Sequence, residues 1–228
     1  MREPSWAEPL SDGEVHHFYW FIQGSIMNRG TRARLWRSWG FCERHAWAHF
    51  TVETAFRGDF LLGAAILYED LVARAVRALR ESPTPLGRWR RLRPRGPCMM
   101  CEMGVFGAGR GVASPALIVR GRSPDRLVAF ARECRDHWAG TVCARCDPAS
   151  DGALCRKHFV EDTSHGSSAQ THALCATLEE LHARLILYRN AFTWEHRGTD
   201  GSEHRAALIT AIGWMSGWRP LLRHFDGR

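Results

Sequence analysis

Apolar residues recur at helical spacing along most of the chain. In the run from Glu14 to about Asn28, Phe18, Phe21, Ile22 and Ile26 fall on one face, which predicts a helix closed by Asn28-Arg29-Gly30. A short basic helix over 32–39 follows, capped by Thr31, with Leu35, Trp36 and Trp39 as its apolar side and Gly40 as its break. The spacing predicts a third helix from Phe41 to Phe56. It predicts a fourth over 59–81, whose apolar stripe is wide enough to pack on more than one neighbour. Ala116 to Val119 reads as a short strand, and 124–140 as a helix. A long helix over 170–194 has Leu174, Leu178, Leu181, Leu185 and Tyr188 as its core face. The last helix, 202–225, carries Leu208, Ile212, Met215 and Trp218, and Gly213 beside them allows close packing or a pocket wall. The fold class is mainly α, with little or no sheet.

The composition changes at SPTPLGRWRRLRPRGP, residues 82–97, where Pro and Arg dominate. This stretch reads as a linker between an N-terminal helical bundle, 1–81, and a second helical part, 98–228. It is also the most basic run, Arg88 to Arg95 with Trp89 among the arginines, which is the pattern of a nucleic-acid contact. The net charge of +7 comes almost wholly from Arg, with Lys157 the single lysine, so charge alone supports nucleic acid weakly.

The cysteines sharpen the picture. Cys143-x2-Cys146 is followed after eight residues by Cys155-x2-His158, and the intervening Asp-Pro-Ala-Ser-Asp-Gly is turn chemistry. A Cys and a His three apart at a helix start share a face, so the four residues form a tetrahedral Cys3His set suited to Zn2+. The same grammar pairs Cys98-x2-Cys101 with Cys134-x2-His137 as a second zinc site. Iron fits thiolate-rich sites as well. A third C-x2-H, Cys42 and His45, has no C-x2-C before it. On its helix, Cys42, His45, His49 and Glu53 form one polar stripe, either a solvated face or an open Cys-His-His metal site. In the second case His49, Glu53 and Glu69 are the candidate general acids and bases, with His16 or His17 beside them. Another stripe, His172, Cys175, Glu179 and His182, reads as a structural Cys among polar neighbours, or as a further ligand set.

The run Gly40-Phe41-Cys42-x2-His45-Ala46-Trp47, with Gly58-Asp59 and Ile66-Leu67-Tyr68-Glu69-Asp70-Leu71 after it, resembles a bacterial and archaeal family of helical proteins of unknown function. Its members repeat C-P-x-C elements, each followed at a distance by C-x2-H. The resemblance runs through Cys155-x2-His158 to the final Trp-containing helix, and implies zinc binding and an all-helical fold, but no activity. The sequence departs from the pattern in having no Cys before Cys42. The first site, on this comparison, has lost two thiolates and is either empty or rebuilt.

Other chemistries find less support. Gly107-x-Gly109-x-Gly111 lacks the strand that a dinucleotide loop follows. Cys98-x2-Cys101 lacks the strand that precedes a thioredoxin-like redox pair. No apolar signal core or membrane-length apolar stretch occurs, so a cytoplasmic protein is expected, with its eight Cys serving metal rather than disulfides. The expected role is binding, of a small ligand, a protein or nucleic acid, with a metal-dependent enzyme as the alternative.

Overall fold

The computed structural model describes residues 7–58, 60–82, 84–107, 111, 113–162 and 168–225. Among them the fold is helical, and the only β pairing is one isolated bridge between Cys143 and Gly152. Among the described residues no helix is long and apolar enough to cross a membrane. Gly109 and the 163–167 loop lie outside the described residues.

Helix α1 (Asp12–Ile22) starts with a capping box. Ser11 accepts from the Glu14 amide, and Glu14 accepts from the Ser11 amide at 2.7 Å. Helix α2 (Arg29–Ser38) is capped by Asn28, whose side chain reaches the amides of Gly30 and Thr31. Thr31 therefore lies inside the helix, not at its cap. The helix ends at Trp39 in the left-handed region, φ 59°, followed by Gly40 at φ 87°. Trp39 is the one non-glycine with positive φ among the described residues. For a residue with a Cβ this costs roughly 1–2 kcal/mol, so surrounding contacts must hold it.

Helix α3 (Glu43–Arg57) runs through the middle of the molecule: every residue from Arg44 to Ala55 is buried. It packs on α1, on α7 (Pro115–Arg122) and on α8 (Asp125–Glu133). Its polar stripe is therefore interior, not a solvated face. Helix α4 (Leu62–Arg80) uses its wide apolar side as expected, against α11 (Ser168–Asn190) and α12 (Ser202–Ser216). From α11 come Leu178, Leu181, Leu185 and Tyr188, all buried, and each such side chain is stabilising by about 1.5–3 kcal/mol.

Three expectations are corrected. Residues 116–119 are helical, because Ser114-Pro115 is an N-cap followed by proline at the first helical position, a start signal stronger than the short β-branched run. The same signal, Thr84-Pro85, makes α5 (Pro85–Leu92) out of the expected linker; Leu92 and Arg88 are buried, and α5 packs on α4. One continuous set of buried side chains joins residues on both sides of this segment. The last helix is broken at Gly217, φ 112°, before α13 (Arg219–Leu222). A Cβ at Gly217 would lie 2.5 Å from Glu43 Oε1, and one at Gly213 would enter the Trp218 ring at 2.3 Å. Gly213 thus serves close packing.

Candidate metal centres

Three of the Cys-x2 motifs have one local structure. Cys42 is the N-cap of α3, Cys98 that of α6 (Met99–Met103), and Cys155 that of α10 (Arg156–Glu161). Each has extended backbone, with φ between −57° and −67° and ψ between 137° and 170°. The second ligand, His45, Cys101 or His158, stands at the third helical position. N-cap and third position face one another across the first turn, as in a capping box. Free amides at the helix start favour thiolate there. Cys143 and Cys146 instead occupy a turn, closed by the Cys146 amide donating to the Cys143 carbonyl at 2.8 Å. The Cys143–Gly152 bridge folds this turn back, and Gly152 is required because a Cβ would sit 2.1 Å from the Val142 oxygen.

Two clusters result: Cys42, His45, Cys98 and Cys101; and Cys143, Cys146, Cys155 and His158. Within each, the four donor atoms lie within 4.8 Å of one another. In the first, His45 Nδ1 is 3.2, 3.6 and 3.4 Å from the sulfurs of Cys42, Cys98 and Cys101, and the Cys42 and Cys101 sulfurs are 3.8 Å apart. In the second, His158 Nδ1 is 3.3, 3.5 and 3.4 Å from Cys143, Cys146 and Cys155, with Cys146 and Cys155 3.9 Å apart. A tetrahedral ion with bonds of about 2.3 Å to sulfur and about 2.0–2.1 Å to nitrogen requires edges of ~3.8 Å (S···S) and ~3.5 Å (S···N). Both donor sets fit a metal by size and by chemistry. All eight cysteines are free.

The thiols also resist this crowding without a cation. In the first cluster, hydrogen bonds from Cys101 and Cys42 drive the Cys98 pKa down, while the bonds to Cys101 and Cys98 drive that of Cys42 up. In the second, Cys146 and Cys155 lower Cys143, and contact with Cys143 raises Cys155 and pushes Cys146 to about 11. One thiolate is tolerated and further ionisation is opposed, a conflict that a dication resolves.

Glu14 stands behind the first centre. Its carboxylate is fully buried and lies 3.1 Å from His45 Nε2, with Arg44 donating at 2.8 and 2.9 Å. Burial raises its pKa, but bonds from His45, Arg44 and the Ser11 amide outweigh burial and hold it at about 2. Burial lowers the His45 pKa, and its bonds to Cys101, Cys98 and Glu14 outweigh that and lift it to about 11. A carboxylate on the outer nitrogen fixes the tautomer and the ring direction of a ligating histidine. Phe106 stacks on His45 at 5.7 Å, and the loop carrying it is pinned to α1 by the Gly13 amide on the Gly107 carbonyl. The sequence reading missed Glu14 and Arg44; the signal available was the Ser11-x2-Glu14 capping box, which explains Glu14 without a metal.

The expected partnership of Cys98 and Cys101 with Cys134 and His137 is not formed. Cys134 lies at the junction of α8 and α9 (Arg135–Trp138), with φ −118° and ψ 20°. Its sulfur points back along α8 to the carbonyls of Phe130 and Ala131, at 3.3 and 3.8 Å, and His137 bonds Ser202. This C-x2-H lacks the extended N-cap that directs a thiol beyond the helix end. The first cluster is thus assembled from Cys42 and His45 with two thiols distant in sequence.

His49 and Glu53 join neither cluster. Both are buried, His49 among the rings of Phe18, Phe21 and Phe41, with its Nε2 3.2 Å from Glu53 Oε2. Burial pushes His49 down to about 3 and Glu53 up to about 7. Glu69 is engaged by Arg189 at 2.8 Å and by His182 at 4.0 Å, at the contact between α4 and α11. His16 accepts from the Ala113 amide, and His17 packs on Trp20. Cys175 donates to Glu179, which pairs with Arg80, so the stripe on α11 is not brought together on one point.

A cavity of about 510 Å3 lies against the first centre. All four of its donors, with Phe41 and Phe106, face α10 residues Arg156, Lys157, Val160 and Glu161 across it. The first centre and α10, the helix whose N-cap is Cys155, thus both contribute to the lining of the cavity. Arg156 is buried, donates to the carbonyls of Leu92 and Met215 at 3.0 and 2.9 Å, and is pushed by burial to about 10. Lys157 pairs with Glu43 at 3.5 Å. No protein-family model matches the chain, and the searches found no similar curated protein or solved structure.

Proposed function

We propose that this is a zinc-stapled helical binding protein, with two structural Zn2+ ions and a ligand site in the cavity that the first centre and α10 line. Thiolate-rich tetrahedral sets favour Zn2+, and four protein donors leave no open position for a reacting water. The first ion would join α3 to α6, and the second would join the Cys143 turn to α10. The binding role is carried by one observation, the cavity of about 510 Å3 whose walls are both metal-held helix starts. Its size suits a small molecule. Phe41, Phe106 and Val160 offer apolar contact, and the cations Arg156 and Lys157 are matched in the lining by Glu43 and Glu161. A loaded Cys3His centre carries about one net negative charge, so a neutral or cationic apolar molecule fits this lining better than an anion.

The alternative, an enzyme with an open Cys42-His45-His49 site, is opposed by the turn of His49 toward Glu53 and by the four donors already gathered at the first centre. Elemental analysis should give two Zn2+ per chain, and a strong chelator should unfold the protein. Nile red, a neutral apolar dye, should bind the holo protein, and Val160→Trp should abolish that binding with both ions retained. Unchanged dye binding in Val160→Trp would remove the cavity from the proposal.

A further inference from the structure

Beside α5 a second, open groove of about 270 Å3 runs between α2 and α4, sharing no lining residue with the cavity at the metal centre. Trp36, Trp39, Arg74, Arg77, Arg91 and Arg95 line it, with Glu81 as its one acid. Glu81 is taken by Arg91. The nearby Asp70 is taken by Arg32 at 2.8 Å and by the Trp36 indole N–H. Among the described residues Arg74, Arg77 and Arg95 pair with no carboxylate. Three guanidinium groups thus line one open space with no carboxylate paired directly to them, while Asp70 acts on Arg74 only through its charge. Arg74 is held below the usual arginine pKa by burial first, then by Arg95 and Arg77.

The groove is also built, not incidental. The Trp39 ring is its floor, with Arg74 stacked 3.9 Å from the ring centroid and the indole N–H donating to the Arg91 carbonyl at 3.2 Å. That ring is delivered by the left-handed backbone at Trp39, a conformation a tryptophan adopts only when its surroundings demand it. The Arg95 amide donates to the Arg37 carbonyl at 2.8 Å and pins the far wall. Trp36 stands at the rim, 42% exposed, with Arg74 5.6 Å from its ring centroid. Arg90 and Arg93 extend the positive surface along the same segment.

We infer that this groove binds single-stranded nucleic acid, with Arg74, Arg77 and Arg95 on the phosphates and Trp36 stacking on a base. Planar guanidinium groups match phosphate oxygens two at a time, and an exposed indole accepts any base. The inference deepens the binding role proposed above but uses a different surface, so the two can fail separately.

The test is fluorescence anisotropy of a labelled twelve-nucleotide single-stranded DNA on the zinc-loaded protein, over about 50–200 mM salt. Three phosphate contacts predict a slope of log K against log salt of about −2. Arg77→Ala and Arg95→Ala, both at exposed positions, should each weaken binding severalfold and make the slope shallower by about 0.7. Arg197→Ala, exposed elsewhere, should change neither by more than the loss of one distant charge. The proposal is overturned by no binding at the lowest salt with both ions present. It is overturned equally if Arg197→Ala matches the groove variants, or if thymidine monophosphate or a duplex binds as tightly as the strand. Loss of strand binding by the groove variants with the dye response intact supports the groove and leaves the cavity standing.

Discussion

Replacing Glu14 by Gln tests whether the first metal centre depends on the carboxylate behind its histidine. Glu14 accepts from the Ser11 amide, from both Arg44 contacts and from His45, and Arg44 and His45 are buried with it. Gln keeps the shape but not the charge. Removing one side of a buried ion pair costs about 3–5 kcal/mol. Arg44 keeps its bonds to the Glu8 and Pro9 carbonyls, at 2.8 and 3.1 Å, so the low end, about 3 kcal/mol, is expected. Loss of such an outer partner also weakens metal binding by about 10–100-fold, equivalent to about 1.4–2.7 kcal/mol. The assay is competition with a chromogenic chelator, following each ion separately. In the wild type both ions should resist; in Glu14→Gln one should be released early while the ion at Cys143, Cys146, Cys155 and His158 stays at its wild-type affinity. Denaturant melts run alongside give the stability change. Two ions held as tightly as in the wild type would refute the coupling through His45.

Glu53→Gln should stabilise the protein above neutral pH. The Glu53 pKa is raised from 4.5 to about 7 by burial, so ionising it costs nothing below about 4.5, more as pH rises toward 7, and the full amount above. That difference corresponds to about 3 kcal/mol at most. His49, neutral in both proteins over the window, affects them alike. Urea melts of the two proteins at pH 6 and pH 8 should therefore diverge, and parallel curves would remove the penalty assigned to Glu53. Cys134→Ala and His137→Ala should each retain two ions per chain, with the first costing about 1 kcal/mol for its buried thiol and the second little. Elemental analysis showing one ion in either variant would restore the ligand set expected from sequence order.

The helices were legible in the chain because apolar spacing is a local property. The core faces of α4, α11 and α12 follow from it directly. So was the second metal centre, whose four ligands lie within 16 residues and are closed by a turn. The first centre was half legible: Cys42 and His45, and Cys98 and Cys101, each announce a helix start that aims two donors at one point. Which halves meet is not a local property. Sequence order favoured Cys134 and His137, and backbone direction excluded them, since a thiol inside a helix junction returns to its own carbonyls. Tertiary packing alone brought α6 to the start of α3, placed Glu14 behind His45 and closed His49 among phenylalanine rings. It also turned a run of Pro and Arg into a packed helix beside Trp39. The Thr84-Pro85 start signal was readable but lay inside a Pro- and Arg-rich stretch, and the burial of Leu92 and Arg88 is what packs that helix into the fold.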